Sequence, residues 1–261
     1  MSDFRTRIDE KAGRGARFEL YQYTRKIVSQ YVYVPGTGQG AGGFGLTVPS
    51  PPTATRTLRI ILEGGAALLE PGALQYAHGA LQVDVQKNDK NSNFFSRAIA
   101  SAGTGESGFA TRFAGRGEVW TEPTTKHFII AEMDGPADAL ILDDKAFYAC
   151  EGSVEIKTHV HRTLSGVLSG NGLMQPKLEG AGVFVVESPV PVDEVEAIEL
   201  DGSGELIVDG DLMMMYSASL QCEVRPLVRG LRNAMRSGEG LVFVFRGRGT
   251  VWLTPTMKIG A

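Results

Sequence analysis

Little in this chain announces chemistry. Its two cysteines, Cys150 and Cys222, are too few for a disulfide framework and read as reduced, core-type thiols. It has only four histidines and two tryptophans. No apolar run approaches the roughly 18 residues that a membrane-spanning helix needs, so no membrane span is expected. The start, Met1-Ser2-Asp3-Phe4-Arg5, lacks the apolar core of a secretory signal and the Arg-rich, acid-poor character of a mitochondrial presequence. The expected location is the cytoplasm. Basic excess is missing too: 26 Lys and Arg face 30 Asp and Glu, a net charge of −4 that argues against nucleic acid as a partner. No Ser-His-Asp, Cys-His or paired-carboxylate arrangement assembles from the residues. The expectation is a protein that is not an enzyme and carries no cofactor.

Glycine is what the chain has in excess. There are 33 in 261 residues, against a usual content of about 7%, and they fall between short apolar runs, an all-β signature. Some of them frame a repeated phrase. Residues 115–124 read GRGEVWTEPT and residues 247–256 read GRGTVWLTPT, with Trp120 and Trp252 in the same place. A weaker copy, GAGVFVVESP at 180–189, lies nearly midway and has neither the arginine nor the tryptophan. Gly115 and Gly117, Gly180 and Gly182, and Gly247 and Gly249 thus mark one step three times. That step is too long for the common helical solenoids and suits a small β unit written three times.

The units run over residues 57–125, 126–191 and 192–261. Each has an opening apolar strand, an acidic turn at Glu70, Asp143 or Asp209, and a strand carrying one tyrosine, Tyr76, Tyr148 or Tyr216. Each is expected to close with a hairpin that turns at the Gly-x-Gly. A few short helices are expected, at 93–102 and 226–236. Residues 1–34 form an N-terminal arm with a strand at 31–34. Residues 35–56 read as a flexible linker, with six glycines between 36 and 45. Pro49, Pro51 and Pro52 follow and forbid the helix that a phosphate-binding loop requires.

The tripled order, Gly238-Glu239-Gly240 before an apolar strand, the closing Gly-x-Gly-x-Val, and an opening such as Leu69-Glu70-Pro71-Gly72-Ala73-Leu74 resemble the altered-inheritance-of-mitochondria protein twenty-four family over residues 57–256. The resemblance implies a fold similar to the tryptophan RNA-binding attenuation protein: short double-stranded β-helix or β-sandwich units in pseudo-threefold arrangement, with trimer-like assembly. It implies no catalytic residue. It links the family's mitochondrial members to inner-membrane organisation. The arm and linker lie outside it.

Three groups of residues invite a chemical reading. His159 and His161 alternate on a strand, so their imidazoles share a face on which a cupin-like metalloenzyme would hold a metal. No carboxylate follows within residues 162–166, so they are expected to be surface-strand histidines and no metal site is expected. Arg116 and Arg248 stand between turn glycines beside Trp120 and Trp252, where they could touch an anion or stack on a base of RNA. The plainer expectation is a solvated arginine over a core tryptophan. Arg225, Arg229, Arg232 and Arg236 fit a solvated helix face, and Asp143-Asp144 fits turn chemistry. Structural residues repeat and catalytic ones do not. The expected function is therefore a non-enzymatic, self-associating β-sandwich scaffold or binding protein, a homo-oligomer with an unidentified protein partner.

Overall fold

The computed structural model describes residues 4–24, 29–35, 43–49, 54–85, 110–161, 173–226 and 241–256. The helix expected at 93–102 lies outside these residues, as does all of 226–236 beyond Pro226 and with it Arg229, Arg232 and Arg236. Among the described residues the chain is all-β: seventeen strands and three single 3-10 turns, at Pro136–Asp138, Val192–Glu194 and Gly210–Leu212.

The strands are β1 (Arg5–Ala12), β2 (Ala16–Thr24), β3 (Ser29–Val34), β4 (Phe44–Pro49), β5 (Ala54–Leu69), β6 (Leu74–Val85), β7 (Thr111–Thr121), β8 (His127–Met133), β9 (Leu140–Leu142), β10 (Phe147–Glu151), β11 (Val154–His161), β12 (Leu173–Gly180), β13 (Gly182–Ser188), β14 (Glu196–Asp209), β15 (Met213–Ser217), β16 (Gln221–Pro226) and β17 (Leu241–Leu253). They make two large antiparallel sheets and a separate ribbon of β3 and β4. In the first sheet β5 is the spine. β7 runs along one of its edges, with β6 beyond, while β2 and then β10 share the other. β1 lies outside β2, and β13 and β8 lie outside β10. The second sheet runs β11, β12, β9, β15, β17, β14, with β16 beside β15 on the same edge of β17.

Alternation explains the spine. Leu58, Ile60 and Leu62 point inward and are 2% exposed or less, as are Phe18 and Phe113 packed with them. A second cluster joins Leu68, Met133, Leu142, Phe147, Cys150 and Phe184, and a third joins Ile141, Tyr216, Phe245 and Val251. Cys150 is fully enclosed, and burial pushes its thiol up, out of the reactive range. Cys222 is part-buried and free, its thiol pushed up to about 12 by burial.

The Gly-x-Gly phrases are not hairpin turns. β7 passes straight through Gly115-Arg116-Gly117 and β17 through Gly247-Arg248-Gly249, each as one strand. In the middle phrase Gly180 ends β12 in the second sheet and Gly182 starts β13 in the first, so the chain changes sheets there. All six glycines have positive φ, from 102° at Gly247 to 157° at Gly117. Two such residues in succession bend a strand sharply without reversing it. A side chain at Gly117 would strike the carbonyl of His78 on β6.

The stretch read as a linker also holds structure. Phe44–Pro49 is strand β4, paired with β3 in the register Tyr31↔Thr47, Tyr33↔Gly45. The rings of Tyr33 and Tyr31 lie over Gly43 and Gly45, where any β-carbon would collide with them. An aromatic laid across a strand glycine supplies the packing that glycine lacks, which composition alone does not reveal.

Candidate functional site

The two tryptophans, alike in sequence, have different surroundings. Trp120 on β7 is 2% exposed, and the arm covers it. The Arg5 guanidinium stands 4.4 Å above its ring, with Arg59 at 5.4 Å, Tyr21 at 5.3 Å and Tyr76 at 5.9 Å. The same arm buries Glu19. Arg7 donates to that carboxylate at 2.9 Å, Arg59 at 3.1 Å and Tyr21 at 3.0 Å. Burial opposes its charge, but Tyr21, Arg59 and Arg7 outweigh it and hold the carboxyl below its usual range. This cluster was not foreseen in the sequence. Its signal is the alternation Arg17, Glu19, Tyr21 on one face of a strand.

Trp252 is only partly buried. It lines an apolar groove of about 490 Å³ between β8 and β13 on one side and β14 and β15 on the other. Ile129, Met133, Phe184, Val195 and Met215 form its walls, and Glu132 and Asp138 stand at its rim. A concave apolar surface with a few polar groups is the usual form of a ligand or peptide site.

Arg116 and Arg248 are both exposed, in different sheets, with different neighbours. Arg116 borders a cleft with Arg14, Glu63, Gly64, Glu151 and Ser153. Glu151 is 3% exposed and accepts from the backbone N–H of Gly15, which puts an acidic side chain in the cleft. Arg248 donates from Nε to the carbonyl oxygen of Asp201 at 2.9 Å. Neither arginine therefore stands in a purely cationic setting.

The histidine pair departs from a pair of surface-strand histidines. The rings of His159 and His161 are 4.6 Å apart on one face of β11, as alternation requires. That face turns inward at His161, which is 4% exposed. Its Nε2 lies 2.7 Å from Gln175 Oε1 and 3.0 Å from the hydroxyl of Tyr216. Burial, with His159 beside it, holds His161 down at about 4 although Gln175 favours its charged form. The ring is therefore neutral at pH 7, and its Nε2 is engaged within the fold. Arg225, on β16, faces Glu223 at 3.9 Å. Asp143-Asp144 stands in a turn, as expected: Ala146 N donates to Asp143 O at 3.1 Å, the backbone N–H groups of Asp144 and Lys145 reach the Asp143 carboxyl, and burial and the charge of Asp144 push that carboxyl up to about 6.

No helix among the described residues is long and apolar enough to cross a membrane. The chain is 27% identical over 197 residues to an uncharacterised protein of Streptococcus pyogenes serotype M6, covering 73% of this chain and 77% of that one. Its fold is similar to that of another Streptococcus pyogenes protein solved by crystallography. That likeness has a TM-score of 0.57 at 23% identity and covers 87% of this chain and 93% of that one. Residues 52–256 match the family described as mitochondrial biogenesis AIM24, and the chain belongs to that family.

Proposed function

We propose that the chain is one β unit written three times, and that it works as a non-enzymatic, self-associating scaffold or binding module. The observation that carries this reading is a set of strand pairings that recurs in step with the glycine phrases. The closing strand, at 117–121, 182–188 and 249–253, pairs on one edge with an opening strand in β5, β8 or β14. On its other edge it pairs with β6, β10 or β15. Each of those second pairings slips at the same step, between Leu74 and Tyr76, Phe147 and Ala149, and Met213 and Met215. The backbone bonds from Glu122 to Ala73, Glu187 to Ala146 and Thr254 to Leu212 occupy one equivalent place. What repeats is architecture: the acidic residues Glu70, Asp143 and Asp209 recur with it at strand ends, while no histidine or cysteine does.

Exposed apolar surface supports the self-associating half of the reading. The β3–β4 ribbon leaves Tyr31 71%, Tyr33 60% and Phe44 56% exposed. A two-stranded ribbon is marginal alone in water, and such surface favours a partner. The reading as an RNA- or anion-binding module draws less support, because Arg116 shares its cleft with Glu63 and Glu151. The cupin-like reading loses the Nε2 of His161 to Gln175 and Tyr216. Light scattering on the full chain at 1–50 µM, on the order of concentrations where weak homo-oligomers form, tests the proposal. A mass above one chain is expected, and a monomer across that range would overturn it.

A further inference from the structure

Two junctions between the units are closed by strand pairing, and they share one register. In the first sheet Ala67, Leu68 and Leu69 of β5 face Glu151, Cys150 and Ala149 of β10. In the second, Leu140, Ile141 and Leu142 of β9 face Ser217, Tyr216 and Met215 of β15. The flanking backbone bonds also correspond. Glu70 N donates to Tyr148 O and Asp143 N to Met214 O, both at 2.8 Å.

The same two half-junctions recur at the two ends of the body, unjoined. Leu206 of β14 pairs with Phe245, as Ala67 pairs with Phe113 and Leu140 with Leu178. Leu206, Ile207 and Val208 are thus the third copy of the first half. Tyr76 of β6 pairs with Trp120, as Ala149 pairs with Val185 and Met215 with Trp252. Tyr76, Ala77 and His78 are thus the third copy of the second half. Among the described residues neither outer edge carries a strand. The side chains record the difference. Leu68, Cys150, Ile141 and Tyr216, the middle pairs of the closed junctions, are at most 2% exposed. Their counterpart Ile207 is 43% exposed, Ala77 is exposed, and beside it Tyr76 is 45% exposed.

We propose that β14 of one copy pairs antiparallel with β6 of a second copy, placing Val208 opposite Tyr76, Ile207 opposite Ala77 and Leu206 opposite His78. The inference rests on the self-associating reading above and names the surface and register by which it occurs. An unpaired strand edge is a template for another chain, and here the template has already been used twice within the molecule. The two halves differ, so the contact is head-to-tail. It gives a ring where the rotation closes and a filament where it does not.

The experiment uses the full chain. Opposed residues in an antiparallel hydrogen-bonded pair lie about 5.5 Å apart at Cα, within disulfide reach. The single variants Ile207→Cys and Ala77→Cys, mixed and oxidised, are expected to give a cross-linked dimer that neither variant nor the wild type gives alone. Ile207→Lys and Ala77→Lys, at exposed positions, are expected to lower the light-scattering mass to one chain with the circular dichroism spectrum unchanged. A wild-type monomer at 50 µM, roughly the upper end of that range, sinks this proposal together with the self-associating reading. A wild-type oligomer that keeps its mass in both lysine variants sinks this register and leaves that reading standing. An Ile207→Cys/Ala77→Cys double variant that cross-links only within one chain also overturns it, because the third junction then closes inside the monomer.

Discussion

Glu70 follows β5 at the closed junction of the first sheet, and burial pushes its carboxyl up to about 7, with the charge of Glu187 adding to the shift and Lys126 opposing it. The folded state therefore keeps a proton that the unfolded chain releases near 4.5. The stability this group contributes is complete below that value and is lost as pH rises through 7, by up to about 3 kcal/mol. Glu70→Gln cannot ionise. It is expected to be more stable than the wild type by about 2–3 kcal/mol at pH 8 and nearly equal to it at about pH 4, measured by urea unfolding. His161 has the opposite slope. Its pKa is depressed to about 4, so its contribution is complete above about 6.5 and is lost as pH falls toward 4. His161→Gln is expected to be less stable at pH 7 and to lose the acid-side slope, as followed by thermal unfolding from pH 7 to 4. Sequence spacing put His159 and His161 on one face but could not tell which way that face turns. The deciding neighbours come from other strands, Gln175 from β12 and Tyr216 from β15, 55 residues on.

At the scale of strands, the repeated glycines were legible as special positions but not as the right kind of position. Gly-x-Gly signals positive φ. Whether the chain then reverses or bends depends on what lies alongside: β6 pairs with β7 in unbroken register through Gly115 and Gly117, while β14 bulges at residues 202–204 opposite Gly247. The close approach gives the prediction. Gly117 has φ of +157°, and a β-carbon there meets the backbone carbonyl of His78, which cannot swing aside. Gly117→Ala is expected to cost about 1–3 kcal/mol in urea unfolding. Gly135→Ala, where open space surrounds the added carbon, should change stability by less than about 0.5 kcal/mol. Other elements were hidden for reasons of composition. β4 lay inside a glycine-rich stretch whose packing comes from tyrosines on another strand. β2 buries Phe18 and Leu20 on either side of Glu19, and its pairing with β5 is what makes it a strand.

For the whole molecule, apolar alternation between turn residues made the all-β class readable, while the division of the strands between two sheets was not. Strands that follow one another in sequence often do not pair. β5 pairs with β10, and β9 with β15, each across a long stretch of intervening chain. No local pattern encodes such partners, so neither the covered surroundings of Trp120 nor the open groove at Trp252 could be read from two nearly identical phrases. Distant pairing also governs speed, because loops must close before contacts form. Refolding from urea, followed by tryptophan emission, is expected in milliseconds to seconds or slower; a microsecond phase carrying the full amplitude would contradict this topology.

The position of β17 has a consequence during synthesis. β14, β15 and β16 all pair with it, and it is the last of the described strands to be made. Every strand of the first sheet has been translated once Ser188 has been added. By then the strands of one sheet have all been made, while β14 and β16, the strands that pair with β17 alone, must wait for it and β15 has only β9 to pair with. The second sheet is therefore completed only once β17 has been made, and until then its unpaired edges are open to chaperones and to other nascent chains.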